Sequence, residues 1–384
     1  METIDIKEFK SAKEAKLPQS LEELSIEERE RLKFLGVDES LKRGGEYIQI
    51  DAKPFICKKR EAKGLEMLPI TEALKKYDWI SDYFWKLVNP EKDEFTKAVA
   101  EDLDDGYFIR VLPGHKLVYP VQTCLYIRTD KVAQKVHNIV IVEEGAELNL
   151  ITSCSVHPHL SSAFHIGISE FYVKRGGTLT FSMLHVWDKR TYVRPRTGVL
   201  IEEGGTYIST YVSLFPVKSI QTAPVCRLVG PNAKASFISI IANHPDSHID
   251  IGGEIRLEAE ETATEITSRV VVYGGENIAR GKIVAKAPKV KGHLECQGLM
   301  LSDEGVMRAI PELDSHFYDV ELTHEAAVGK IAREEVEYLM ARGLTEEEAT
   351  SLIVKGFLRV KIEGIPPELQ KQIDKTLELA KLGF

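Results

Sequence analysis

The 384-residue chain contains no C-x-x-C pair: its five cysteines, Cys57, Cys124, Cys154, Cys226 and Cys296, are odd in number and widely spread. That usage speaks against a disulfide framework and against a structural zinc knot, and the thiols are expected to be reduced, most of them buried and inert. No apolar run approaches the ~20 residues that span a bilayer, and Met1 to Lys16 lacks the apolar stretch of a secretory signal. A soluble cytoplasmic protein is expected. A basic excess is also missing: the formal net charge is -9, which argues against a nucleic-acid surface and leaves Lys58-Lys59-Arg60 and the run Lys286 to Lys291 as solvated faces. There is no G-x-x-x-x-G-K-[ST] loop, so ATP is not hydrolysed by that route, and no G-x-S-x-G elbow.

What is present is the 43% hydrophobic and 28% charged composition of a globular protein, in a chain longer than one ordinary domain. A long β-stack absorbs such a length around one continuous core. Residues 1–105 read as helical. Ser25-Ile26-Glu27-Glu28 is a capping box and Gly36 a stop. A second helical stretch, Thr71 to Val88, holds Trp79, Tyr83, Phe84 and Trp85, which either pack this segment onto the body or offer a face to a partner. Residues 106–322 change to short β-propensity runs such as Asn138-Ile139-Val140-Ile141-Val142 and Ser236-Phe237-Ile238-Ser239-Ile240. Turn residues recur at roughly thirty-residue intervals around Gly145, Gly176, Gly204, Asn232, Glu261 and Pro288. A β-sandwich fits the strand count nearly as well, but the repeated Glu-Glu-Gly turn followed by an apolar strand favours a parallel β-helix. Residues 323–384 return to helical spacing, with Gly343 at a C-cap, a capping box at Thr345-Glu346-Glu347-Glu348, Gly356 as its stop and a last helix after Pro366-Pro367.

Three residues stand out chemically. Cys296 is a soft thiol late in the β region, and His324 and Glu325 follow about thirty residues on, close to one coil of the expected solenoid. Alone, the thiol reads as a small core hydrophobe, Glu325 as a helix cap and His324 as a surface imidazole. Together, thiol, imidazole and carboxylate favour a transition metal over magnesium or calcium. Cys154 lies on a strand followed by His157, His159 and His165; no spacing there matches a tetrahedral finger, and a thiol relay suits Cys154 better than a metal role. His185 and Trp187 share one strand face, where Trp187 is expected to pack.

The stretch from Leu322 to Phe357, LTHEAAVGKIAREEVEYLMARGLTEEEATSLIVKGF, resembles the C-terminal block of the SufB/SufD family, scaffold subunits of the SUF iron–sulfur assembly machinery. Pro120-Val121-Gln122-Thr123, Glu144-Gly145-Ala146, the Cys154 segment and Cys296 through Leu301-Ser302-Asp303 follow in family order, and Lys76 to Val88 matches more loosely. The resemblance implies a right-handed parallel β-helix between helical ends, a homodimer through that β-helix, and C-terminal helices that dock a SufC-type ABC ATPase. By matching position Cys296 is similar to the thiol that accepts sulfur and holds the nascent cluster, His324 and Glu325 to the imidazole and acid beside it, and Cys154 to an upstream thiol on a sulfur route that includes His185 and Trp187. SufD has Gly in place of Glu325 and lacks the Cys296 thiol, so the chain is SufB-like there. It departs at Tyr126 and Arg128, where SufB typically has Arg and Asn, at His185, where it has Gln, and in lacking an N-terminal C-x-x-C cluster; its length resembles compact archaeal members.

The function expected is therefore a non-enzymatic scaffold that takes iron and sulfur from a donor and passes a transient cluster to apo acceptor proteins. Two rivals stand beside it: a SufD-like structural adaptor without a cluster, and a β-helix carbohydrate-active enzyme using Asp303, Glu304, Glu312 and Asp314.

Overall fold

The computed structural model describes residues 4–359 apart from 16, 17, 19, 38–41 and 61, together with residue 374. From Val121 onward the chain winds as a parallel β-solenoid of about eight turns. Each coil contributes one level to each of two sheets. Val132–Val142, Ala163–Val173, Arg196–Ile201, Val225–Leu228, His248–Leu257, Glu276–Ala285 and Val306–Ser315 stack in the first sheet; Val121–Ile127, Glu147–Val156, Thr178–Val186, Thr206–Ser213, Lys234–Asn243, Ala263–Val272, Val290–Met300 and Val320–Lys330 stack in the second. Alternation sends one residue of every pair inward. Leu150, Phe181, Tyr207, Ile241, Val270 and Leu294 from the second sheet thus meet Phe171, Val199, Cys226, Ile255 and Ile283 from the first in one continuous core.

The corner before six of the eight second-sheet strands, Glu147–Val156 through Val290–Met300, is made by one residue in the left-handed region: Gly145 (φ 64°), Gly176 (62°), Gly204 (62°), Asn232 (60°), Glu261 (58°) and Lys289 (57°). The first three are glycines, for which this conformation carries no steric penalty, and the next is the non-glycine residue that tolerates it best. These are the turns the sequence spacing marks, so solenoid rather than sandwich is the observed architecture.

The N-terminal hundred residues are less helical than their sequence suggests. Gly45–Ile50 pairs in parallel with Val121–Ile127, Lys53–Lys59 folds back antiparallel on it, and Leu65–Pro69 extends the first sheet. The alternating Tyr47-Ile48-Gln49-Ile50 run is β-shaped once an edge is available to pair with. The expected capping box is present: Ser25 Oγ accepts from Glu28 N–H at 3.1 Å and Glu28 Oε2 from Ser25 N–H at 2.8 Å, opening the helix Ile26–Phe34. The aromatic segment is a helix at Ile70–Lys76 and a 3₁₀ turn at Asp78–Asp82, and its Trp79 and Tyr83 rings pack edge-on against Phe108 and Tyr172.

At the other end, helices Arg333–Met340 and Glu346–Leu358 follow the last strand. Gly343 (φ 98°) separates them and Thr345 caps the second, as expected, but that helix runs through Gly356 to Leu358. Its Val354 and Leu358 pack on the outer face of the second sheet against Ile240, Val271 and Leu299. The helix expected after Pro366-Pro367 lies outside the described residues.

Candidate functional site

Cys296 sits on Val290–Met300, the last but one strand of the second sheet. Leu294, Cys296 and Gly298 share the inward face, and the thiol is fully buried in the core. Burial first, and the neighbouring Glu295 carboxylate second, push its pKa up to about 11, so the thiol is protonated at neutral pH.

The final strand lies in parallel register over it, pairing Leu294 with His324, Glu295 with Glu325 and Cys296 with Ala326. His324 therefore belongs to the inward row of the last described level, one inward position from Ala326, the residue that caps Cys296. Glu325 belongs to the outward row, above Glu295, on the other face of the sheet. The strand continues to Lys330 and the next helix begins at Arg333, so neither residue stands at a helix N-terminus. Among the described residues no three His, Cys, Asp or Glu side chains are grouped to hold a metal ion. Within one chain, then, the thiol and imidazole share a face while the carboxylate does not join them.

A polar column leads away from Cys296 through the interior. Successive register partners run Cys296, Ser268, Ser239, Tyr211, Met183, Thr152. Ser268 Oγ is buried without a hydrogen-bond partner, and Ser239, Tyr211 and Met183 are only half-buried although they face inward. Cys154 lies one inward position along from Thr152, fully buried, its Sγ 3.7 Å from Met183 Sδ, and burial raises its pKa well above the ordinary thiol value. His185 is its register partner on the next coil; Tyr211 Oη is 2.7 Å from His185 Nδ1, and the Trp187 ring lies between His185 and His165 at 5.2 and 5.3 Å. Cys154, His185 and Trp187 are thus contiguous, and Trp187 packs in the core as expected. Burial keeps both imidazoles uncharged, with His165 held down to about 3 and His185 well below the usual range. His157 and His159 do not join this interior group: they form a ring pair of their own, and His159 Nε2 meets exposed Glu27 at 3.1 Å. Tyr211, Ser239 and Ser268 do not stand out in the sequence; the signal for them is small or polar residues at inward positions, readable only once the register is known.

The outer face of the same level is tied to the C-terminal helix. Arg269 Nη2 is 2.9 Å from Glu295 Oε1, and its guanidinium lies 5.7 Å from the Phe357 ring centre. Asp303 and Glu312, proposed for a carbohydrate site, are held apart by ion pairs to Lys330 (2.6 Å) and Lys282 (3.2 Å) on different sheets.

The chain is thus a two-sheet parallel solenoid with a buried thiol one level below its last described level and a C-terminal helix laid on its outer face. Residues 125–357 match the family described as SUF system FeS cluster assembly, SufBD core domain. An iron–sulfur cluster assembly SufBD family protein of Archaeoglobus fulgidus is 48% identical over 362 residues, 94% of this chain and 96% of that one; one of Methanothermobacter thermautotrophicus is 43% identical over 391 residues, 100% and 95%. The iron–sulfur cluster assembly protein SufB of Bacillus subtilis is 26% identical over 373 residues, 96% and 78%. The chain belongs to the SufBD family, and its role lies in iron–sulfur cluster assembly. No helix among the described residues is long and apolar enough to cross a membrane.

Proposed function

We propose that the chain is a SufB-like scaffold on which iron and sulfide are assembled, with Cys296 as sulfur acceptor and principal ligand of the cargo cluster. The observation that carries this is the placement of Cys296 directly beneath the last described level of the solenoid in a SufBD chain. His324 supplies an imidazole from the same face. Glu325 supplies a carboxylate by reaching the site from a second copy whose open end meets this one, so that the ligand set closes only in a homodimer. The sulfur route runs from Cys154, past His185 and Trp187, along Tyr211, Ser239 and Ser268 to Cys296.

A buried thiol with a raised pKa neither accepts sulfur nor binds iron until the last level moves and the proton leaves. The helix Glu346–Leu358 is suited to drive that movement. It rests on Leu299, in the Cys296 strand, and reaches Glu295 through Arg269. A SufC-type ABC ATPase docked on the C-terminal helices would shift this contact as it turns over ATP, opening and closing the end. The chain itself acts as scaffold rather than enzyme, in the cytoplasm, between a sulfur donor and apo acceptor proteins.

Anaerobic reconstitution with ferrous iron and sulfide, followed by thiolate-to-iron charge-transfer absorption, tests the assignment. Cluster yield is expected to rise with pH as the thiolate forms. A yield unchanged by Cys296→Ala would defeat it, and complex formation with the ATPase but no cluster in the unmodified chain would favour the SufD-like adaptor.

A further inference from the structure

A loop far from Cys296 is fixed to the outer face of the first sheet with unusual firmness. The fully buried carboxylate of Glu170 accepts backbone N–H groups from Trp85 (2.6 Å), Leu87 (2.5 Å) and Val88 (3.1 Å), and meets His137 Nε2 at 2.8 Å. Phe84 stacks on the His137 ring at 4.4 Å, and Trp85 is held at φ 57°, a conformation a tryptophan adopts only when its surroundings impose it. Gly198 lets the loop lie flat: a Cβ there would stand 2.4 Å from Leu87 Cβ.

The clamp creates a cavity of about 590 Å³ between this loop and the sheet. Five cationic side chains line it, Lys86, Lys92, Arg227, Arg256 and Lys286, against the single carboxylate of Glu258. In a chain of net charge -9 this is a local reversal of sign. Arg227 is 2.8 Å from Glu258, which Lys286 approaches at 3.8 Å, and Arg256 is 2.5 Å from Glu254. Neither Lys86 nor Lys92 has an ion-pair partner among the described residues. Desolvation by the cavity walls, then the nearby Arg196 guanidinium, lower the pKa of Lys92. Like charges gathered at one mouth attract an anion into the space they share.

We propose that this cavity is a binding site for a small organic phosphate carrying at least two phosphate groups. The lysine ammoniums and the outer edges of the arginine forks supply more donors than the carboxylates of Glu254 and Glu258 can accept, and they match the charge of a diphosphate. The volume exceeds that of an inorganic ion, and Leu87, Val88 and Val225 give the organic part an apolar wall. Glu170 is a positioning residue: it sets the loop that carries Lys86 and Lys92.

Isothermal titration of the purified full-length chain with inorganic pyrophosphate and with adenosine diphosphate tests the site. Both are expected to bind, the nucleotide more tightly through the apolar wall, with affinity that falls as salt rises. Lys86→Glu and Lys92→Glu, at exposed positions that leave the fold intact, should each weaken binding at least about tenfold. Lys291→Glu, on the other sheet, should change nothing. Absence of binding by both probes, or binding indifferent to the Lys86 and Lys92 changes, would overturn the proposal. Cluster reconstitution on the same samples reads the Cys296 site separately, since neither lysine lies near it.

Discussion

The coil around Phe171 and the coil that ends at Lys330 are built from the same strand–turn–strand unit, yet they differ in what they ask of their surroundings. In the first, every residue of Ala163–Val173 is buried, and its one outward carboxylate, Glu170, is matched by an imidazole and three backbone amides. In the second, no strand among the described residues lies above Val320–Lys330: Val328 is 48% exposed and the adjoining Tyr318 is wholly exposed. The contrast teaches that solenoid stability is local. A coil is as secure as its two neighbours make it, and the terminal coil has one. An unpaired strand edge with apolar side chains invites a second copy or partner, and Cys296 lies one level beneath it.

Four experiments press on this contrast. The largest effect is expected from Cys296→Ala, which should abolish the cluster on anaerobic reconstitution, whereas Cys226→Ala, in the mid-solenoid core, should leave the yield intact; circular dichroism should report an unchanged fold for the first. Val328→Lys places a charge on the edge where the proposed homodimer would close, and light scattering should then report a monomer where the unmodified chain gives a dimer, without a lower melting temperature. Glu170→Ala strips the partner from His137 and three amides and should cost about 3–5 kcal/mol in urea unfolding, because it leaves buried polar groups unmatched. The smallest effect is a pH dependence. The unfolded Cys296 thiol ionises near 9.0 and the folded one near 11, so the unfolded chain releases its proton first and stability is lost as pH rises through that window. The loss attributable to this thiol is at most about 3 kcal/mol and should vanish in Cys296→Ala, read as the difference between the two alkaline unfolding curves.

The turns were the most legible feature of the sequence because each depends on a single residue: Gly145, Gly176 and Gly204 mark left-handed corners regardless of what packs around them. The N-terminal strands were less so. Gly45–Ile50 and Lys53–Lys59 become strands because an edge of the solenoid is there to receive them, and no local pattern announces that edge. The relation of Cys296 to Glu325 was beyond reach for a sharper reason. Cys154 pairs with a residue thirty-one positions on, His185, whereas Cys296 pairs with one thirty positions on, Ala326. A coil longer or shorter by one residue exchanges the two faces of a strand, so an interval of about thirty leaves undecided whether Glu325 sits over the thiol or behind it. The cavity beside Lys86 and Lys92 was hidden likewise, since its walls come from segments more than a hundred residues apart.

The left-handed corner at Lys289 has a consequence of its own. At Gly145, Gly176 and Gly204 the backbone takes that shape freely, but at Lys289 it does so against the preference of the side chain, directly before the strand that carries Cys296. The strain stored at that corner is relieved whenever the Cys296 strand loosens, so the proposed opening of the last level starts from a backbone already under load.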